Sequence, residues 1–245
     1  MSQRKKDWDT EENAVAYDQY ARKFPMYKST SEDLVKISGI KSGMTVVDLA
    51  AGTGITTQAI IETTGGDVSV IVVDQAKEML KKAKERFLDN KNVRFIVAEA
   101  EDLNNVIKKP VDAIICNSAF WQMNPKKVFG AASHTLKNNG IFVFNLPDQY
   151  FSCQGFKKQP RKPLPYDFSN LVLWGKEVGL VLIAKSVKEY SKNISEIVAF
   201  NEIPVMKKNV VSKKNDKEKV INKLKKKFGK DSSKKSRWIY LVFRK

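Results

Sequence analysis

Three carboxylates each stand at the end of an apolar run: Asp48 in TVVDLA, Asp74 closing VSVIVVD and Glu99 closing VRFIVAE. The first stands just ahead of Ala50-Ala51-Gly52-Thr53-Gly54, a glycine turn that offers backbone N–H groups and lets a ligand come close. If the apolar runs are neighbouring strands, the three acids share one edge of a sheet, the edge where open α/β sheets bind their ligands. A polar residue at one strand end needs no ligand to explain it. Three acids in order beside a GxG turn point to a binding crevice.

The same residues narrow the ligand. A dinucleotide would bring a pyrophosphate to this turn, where Asp48 would repel it, and Thr57 stands where the third glycine of GxGxxG belongs. S-adenosylmethionine carries an ammonium and a sulfonium and no phosphate, so Asp48 becomes an attractive partner. Asp74 lies about 20 residues beyond the turn, the place of an acid that accepts hydrogen bonds from ribose hydroxyls in either ligand class. Glu99, with the backbone at its strand tip, is placed to read an adenine edge.

The elements that must position these acids follow from the hydrophobic pattern. The chain has 245 residues, 42% of them hydrophobic, which suits one sizeable core and a single α/β domain. From Gly43 onward it alternates strand, turn and helix: TVVDLA, a helix from Gly54 to Thr63, VSVIVVD, the amphipathic AKEMLKKAKERF, VRFIVAE, VDAIICN, a helix over about 126–137, and GIFVFNL. Continuous apolar strands are what a parallel sheet covered on both faces requires, so the expected class is a doubly wound α/β fold.

Around this core the pattern places appendages. Ala14, Tyr17, Ala21 and Phe24 share a helical face that Pro25 ends, and a second helix is expected over about 31–38, with Thr30 and Asp33 spaced as a capping box. Beyond Leu146 come a proline-rich loop, a helix over about 168–177, the strand GLVLIAKSVKEYS, a basic insertion and the strand RWIYLVFRK. Within the insertion, Asp216 to Phe228 carries Val220, Ile221, Leu224 and Phe228 on one helical face. The expected organisation is one domain over 1–245: N-terminal helices forming a lid over 1–42, a cofactor-binding core over 43–146, a substrate-side region over 147–193, the insertion over 194–236 and a final strand over 237–245.

Composition excludes several classes. The start, MSQRKKDWDTEE, is charged where a signal peptide is apolar, and no stretch reaches roughly 18 uncharged apolar residues, so no membrane span and a cytoplasmic location are expected. Cys116 and Cys153 lack metal or disulfide spacing, and His134, the one histidine, sits in a helix without Cys or His neighbours; no metal is expected. The formal net charge of +17 is concentrated between Lys207 and Arg237. That segment attracts an acidic partner or forms a solvated helix face.

With these residues in view, the chain closely resembles the class I S-adenosylmethionine-dependent methyltransferases, in the branch of the quinone and malonyl-thioester methyltransferases. VVDLAAGTG is similar to the family's first motif, VVDQAKEML to its second, FIVAEAEDL to its third, VDAIICNSAFWQMNP to its fourth and LKNNGIFVFNL to its fifth. The resemblance implies a Rossmann-like seven-stranded sheet whose last strand, RWIYLVFRK, is antiparallel. It implies a cofactor set of Asp48, Ala50, Gly52, Thr53 and Gly54 around the methionine moiety, Asp74 with Gln75 and Met79 from the second motif, Glu99, Ala100 and Glu101 at the adenine, and Asn117 near the sulfonium. AYDQYA is similar to the helix that closes over the cofactor in this branch, which adds Tyr17 and Tyr20. Many members have Gly-Cys or Gly-Gly where this chain has Ala50-Ala51.

Methyl transfer needs alignment and exclusion of water, with a general base only for some acceptors. Phe120, Trp121, Gln122, Asp148 and Tyr150 are the acceptor-side candidates, and none is assigned as a base. The turn after the fourth strand reads Asn117-Ser118-Ala119-Phe120, without the Asn/Asp-Pro-Pro-aromatic signature of amino-methylating nucleic-acid enzymes or the Pro-Cys of base-carbon methylation. The expected acceptor is a small molecule, lipophilic or tethered to an acidic carrier protein. The lysine-rich segment supports RNA as the competing partner, and a protein that binds the cofactor without transferring a methyl group is the third reading.

Overall fold

The computed structural model describes residues 7–148, 164–206 and 234–245. A seven-stranded sheet runs in the order β3-β2-β1-β4-β5-β7-β6. Its strands are β1 (Thr45–Leu49), β2 (Ser69–Asp74), β3 (Val93–Val97), β4 (Val111–Cys116), β5 (Leu136–Pro147), β6 (Val181–Lys192) and β7 (Lys234–Arg244). The pairs β1–β2, β2–β3, β1–β4 and β4–β5 are parallel, and β7 is antiparallel to both neighbours. The order turns back on itself between β1 and β4, which opens the crevice of a doubly wound sheet there.

Alternation along the strands builds two cores. Val47, Leu49, Ile71, Val73, Ile114, Phe142 and Phe144 face one side, under α6 (Pro125–Thr135) and α7 (Phe168–Glu177). Val46, Val70, Val72, Ala113, Ile115 and Val143 face the other. There they meet α2 (Met26–Ser38), α3 (Ile55–Thr63) and α4 (Lys77–Arg86). This two-sided burial is the reason the strands read as continuous apolar runs. Among the described residues no helix is long and apolar enough to cross a membrane.

Two N-terminal helices sit over the carboxyl ends. α1 (Glu11–Lys23) starts at Thr10, whose hydroxyl accepts from the Asn13 N–H, and ends before Pro25. α2 starts at Met26, earlier than the capping-box pattern predicts. Thr30 and Ser31 lie inside it and donate to the Tyr27 carbonyl, and Asp33 is turned toward β6. Local spacing cannot reveal this, because these side chains are recruited by strands far away in sequence.

After β6, α8 (Ile194–Glu202) packs on α1: Tyr20 donates to Glu196 at 3.3 Å, and the Val205 N–H donates to Asn13 at 2.8 Å. The predicted helix over Asp216–Phe228 and most of the basic segment lie outside the described residues. A short helical turn, α5 (Leu103–Val106), follows β3.

Candidate functional site

Asp48 is 1% exposed. Its Oδ2 accepts from the Thr57 hydroxyl at 2.6 Å, while Oδ1 is buried with no hydrogen-bond partner. Burial pushes the carboxyl from 3.8 up to about 7; the Thr57 hydrogen bonds pull it back in part, and repulsion from Asp74 adds to the rise. Two more buried oxygens, Thr53 Oγ1 and Gln75 Oε1, also have no partner. Buried polar atoms are nearly always paired, so three orphans on the first and second motifs mark a place built for hydrogen-bond donors or positive charge.

The turn between β1 and α3 is left-handed at Ala50 (φ 55°), Gly52 (φ 57°) and Gly54 (φ 84°). Gly54 could not be another residue without displacement, since a Cβ there would lie 2.7 Å from the Phe87 ring. Asp74 holds the turn from the next strand. Its Oδ2 accepts from the Gly52 N–H and its Oδ1 from the Ala76 N–H, each at 2.8 Å. Burial raises the Asp74 carboxyl, and those backbone bonds oppose the rise. The Gln75 N–H also bonds it, and since a carboxylate has about four lone-pair sites, about one remains for a ligand.

α1 closes over this turn. The Tyr17 ring lies 3.7 Å from where a Cβ on Gly52 would stand, and it packs edge-on against Trp8 with centroids 5.7 Å apart. Burial first, then Tyr27, Tyr20 and Asp74, raise its phenol well above the ordinary value. The next residue, Asp18, pairs with Arg86 of α4 at 2.5 Å and with Arg22 at 2.6 Å. Tyr20 points elsewhere: its ring packs on Phe24, Tyr27 and Phe200, and its hydroxyl reaches Glu196. Met79 packs with Ala14 and Ala76 under α1. Tyr20 and Met79 therefore seat α1, while Tyr17 faces the turn.

Beyond β3, Glu99 and Glu101 line an open groove of about 600 Å3 together with Asp102, Asn124, Lys127 and His134. Glu101 accepts from the Asn124 N–H at 2.8 Å, next to the start of α6. Ala100 is 8% exposed and packs into the core. Across the crevice, Asn117 follows β4. Its side chain is engaged on both sides: Nδ2 donates to Thr30 and Ser31 of α2, and Oδ1 accepts from Asn145.

On the acceptor side the expected residues separate. Phe120 is fully buried, stacked on Phe144 at 3.9 Å and packed against Phe129 and Phe142, so its place is in the core. Trp121 is half-buried against Trp238, Gln122 is exposed in a short 3-10 turn, and Asp148 pairs with Arg237 at 3.6 Å. Tyr150 and Cys153 lie outside the described residues. The motifs mark Thr57 only as the residue in place of a third glycine, not as the partner of Asp48, and they do not single out Asn145 or Tyr240. Asn145 had a signal, a lone amide inside the apolar run GIFVFNL.

A family model described as a methyltransferase domain matches residues 40–226. The probable S-adenosylmethionine-dependent methyltransferase CRG1 of Saccharomyces cerevisiae is 35% identical over 103 residues, which cover 40% of this chain and 34% of that protein. Malonyl-[acyl-carrier protein] O-methyltransferase 1 of Ilyobacter polytropus is 28% identical over 134 residues, covering 54% of this chain and 48% of that one. The chain thus spans between a third and a half of these relatives' lengths. Phosphoethanolamine N-methyltransferase 2 of Haemonchus contortus, solved with S-adenosyl-L-methionine, shares the fold with a TM-score of 0.68 at 18% identity, over 100% of this chain and 60% of that one. With the match running through well over half of its length, from the strand that carries Asp48 past α8, the chain belongs to the class I S-adenosylmethionine-dependent methyltransferase family.

Proposed function

We propose that this protein transfers a methyl group from S-adenosylmethionine to a small-molecule acceptor, free or tethered to a carrier protein. The observation that carries the reading is the buried Asp48 carboxyl with one unpartnered oxygen, set beside a left-handed glycine turn that Asp74 holds from the neighbouring strand. A pyrophosphate would meet two acids there; an ammonium and ribose hydroxyls would satisfy them. When bound, S-adenosylmethionine supplies a methyl group made electrophilic by the positive sulfur beside it.

The chain's own residues then have distinct tasks. Asp48 takes the cationic end, with Thr57 holding its other oxygen, and Asp74 takes the ribose edge while keeping Gly52 in place. Thr53 and Gln75 offer their unpartnered oxygens to ligand donors. Tyr17, carried by α1, excludes water from the crevice, a condition for displacement at carbon. No side chain is assigned as a base. The relatives named for a malonyl-carrier substrate and for phosphoethanolamine favour acceptors of small size, and the helices α1, α2 and α8 packed over the carboxyl ends favour an enclosed acceptor over a nucleic-acid strand.

Calorimetric titration with S-adenosylhomocysteine tests the cofactor, with binding at one site per chain expected and NAD showing none. Binding of NAD in its place would overturn the reading. Incubation with radiolabelled S-adenosylmethionine and, separately, a malonyl-acyl carrier protein, a quinol, phosphoethanolamine and RNA tests the acceptor. Label entering RNA alone would replace the small-molecule reading with the nucleic-acid one.

A further inference from the structure

A chain of side-chain hydrogen bonds leaves α2, crosses β6, β7 and β5, passes through the residue that follows β4 and returns to α2. Asp33 of α2 accepts from the Tyr190 hydroxyl on β6 at 2.6 Å. Tyr190 and Tyr240, on β7, share a short hydroxyl contact. Tyr240 stands directly across the β5–β7 ladder from Asn145, whose amide hydrogen-bonds the phenol. Asn145 Nδ2 also donates to Asn117 Oδ1 at 2.7 Å, and Asn117 Nδ2 donates to Ser31 at 2.8 Å and Thr30 at 3.2 Å, back on α2.

The directions are determined. Ser31 spends its hydroxyl proton on the Tyr27 carbonyl, so Thr56 must donate to Ser31 across their 2.9 Å contact. Tyr190 spends its proton on Asp33, so Tyr240 must donate to Tyr190. From Asn145 the bonds therefore diverge: through Tyr240 and Tyr190 they point toward the Asp33 carboxylate, which lies 3.3 Å from Lys188, and through Asn117 and then Ser31 and Thr30 they point toward the Tyr27 carbonyl. Tyr240 and Asn145 are both fully buried, and a buried polar chain of this kind stabilises one arrangement only when each member is satisfied.

What the ring encloses is the tip of β4. Asn145 Oδ1 accepts from the Ser118 N–H at 2.7 Å, and Ser118 is left-handed with φ 58°. Only three non-glycine residues among those described have positive φ; two of them, Ala50 and Ser118, end β1 and β4, the strands that flank the crevice where the sheet order reverses. Such backbone is held against its own preference by its surroundings and gathers at functional sites. At Ala50 the Asp74-bonded turn does the holding; at Ser118 the ring does.

We propose that Asn145, Tyr240, Tyr190 and Asp33 are positioning residues of the methyl-transfer site, acting through Asn117 and Ser118 to hold the β4 side of the crevice and the lid helix α2 in one register. Asp33 and Tyr190 are 157 positions apart in sequence, so the ring closes only when β6 is in place, tying the acceptor-side half of the sheet to the cofactor-side half. The inference rests on the proposed function for what occupies the crevice, not for the ring itself.

The test uses the full chain and S-adenosylhomocysteine as the probe, with wild-type binding established first; no binding by the wild type would count against the proposed function and leaves the ring to be judged by exchange alone. Tyr190→Phe removes one hydroxyl from the ring. Hydrogen exchange at the Ser118 amide is expected to quicken at least tenfold while β1 and β2 amides keep their protection, and affinity for the probe is expected to fall about fivefold to tenfold. Asp33→Asn keeps an acceptor oxygen and should behave as wild type, whereas Asp33→Leu should match Tyr190→Phe; this pair serves equally if Tyr190→Phe does not fold. A purely structural role would lower the melting temperature and loosen all strands together. Unchanged Ser118 protection in folded Tyr190→Phe or Asp33→Leu, or equal loss in Asp33→Asn and Asp33→Leu, would overturn the proposal.

Discussion

Replacing Asp48 with Asn makes the cost of this site measurable. Burial moves the Asp48 carboxyl from 3.8 to about 7. The unfolded chain therefore loses its proton near pH 4 while the folded chain keeps it until about pH 7. For a carboxyl raised by folding the penalty is absent below the unfolded value, grows as pH rises between the two and is complete above the folded one. At about 1.4 kcal/mol for each pH unit of displacement, the full penalty is about 4 kcal/mol. Asn keeps an acceptor for Thr57 but puts an N–H2 where Oδ1 has no partner, which costs about 1–3 kcal/mol. The variant should thus be more stable than wild type by about 1–3 kcal/mol near pH 8 and lose that advantage near pH 4. Asp74 and Cys116 also face Asp48. Burial raises Asp74 in both proteins, so the difference between them isolates Asp48, and Cys116, pushed well above its ordinary value, stays protonated throughout. Urea unfolding at the two pH values measures the difference; a gap that does not change with pH refutes the reasoning. The same variant should bind S-adenosylhomocysteine about 10-fold to 100-fold more weakly at pH 8, the worth of one charge-assisted hydrogen bond.

Three further outcomes are expected. Asp74→Ala should abolish binding of S-adenosylhomocysteine and also lower stability by about 2–3 kcal/mol, because the Gly52 and Ala76 N–H groups lose a charged acceptor; calorimetry showing unchanged affinity would remove Asp74 from the site. Asp18→Ala leaves Arg86, whose side chain is 14% exposed, without its anion and should cost about 3 kcal/mol while speeding dissociation of S-adenosylhomocysteine in stopped flow, since α1 loses its tie to α4. Phe120→Ala should cost about 3–5 kcal/mol in urea unfolding, the range for a fully buried aromatic; a loss under about 1 kcal/mol would return Phe120 to the acceptor side.

How far the chain could be read from its letters depended on the range of the forces involved. The helix from Phe168 to Glu177 and the strand ends at Asp48 and Asp74 emerge from apolar periodicity, because burial on both faces of the sheet imposes it residue by residue. The spacing of Thr30 and Asp33 suggests a cap that the fold does not form, since the pattern carries no trace of Asn117 and Tyr190, the partners that claim Thr30 and Asp33. Phe120 and Trp121 are neighbours in NSAFWQ, yet one is sealed under Phe144 and the other half-exposed beside Trp238. A short turn has no periodicity to distinguish them.

Pattern and composition by themselves determined the doubly wound sheet, the glycine turn after its first strand and the acids at the strand ends, because strand burial and strand-end chemistry are local consequences of residue type. Only the tertiary structure decided that burial pushes the Asp48 carboxyl up to about 7, that Tyr17 and not Tyr20 faces the turn, and that Asn117 is spoken for by a ring through Asn145, Tyr240, Tyr190 and Asp33. Desolvation and long-range hydrogen bonding depend on what folding brings alongside each group, and no spacing along the chain records that.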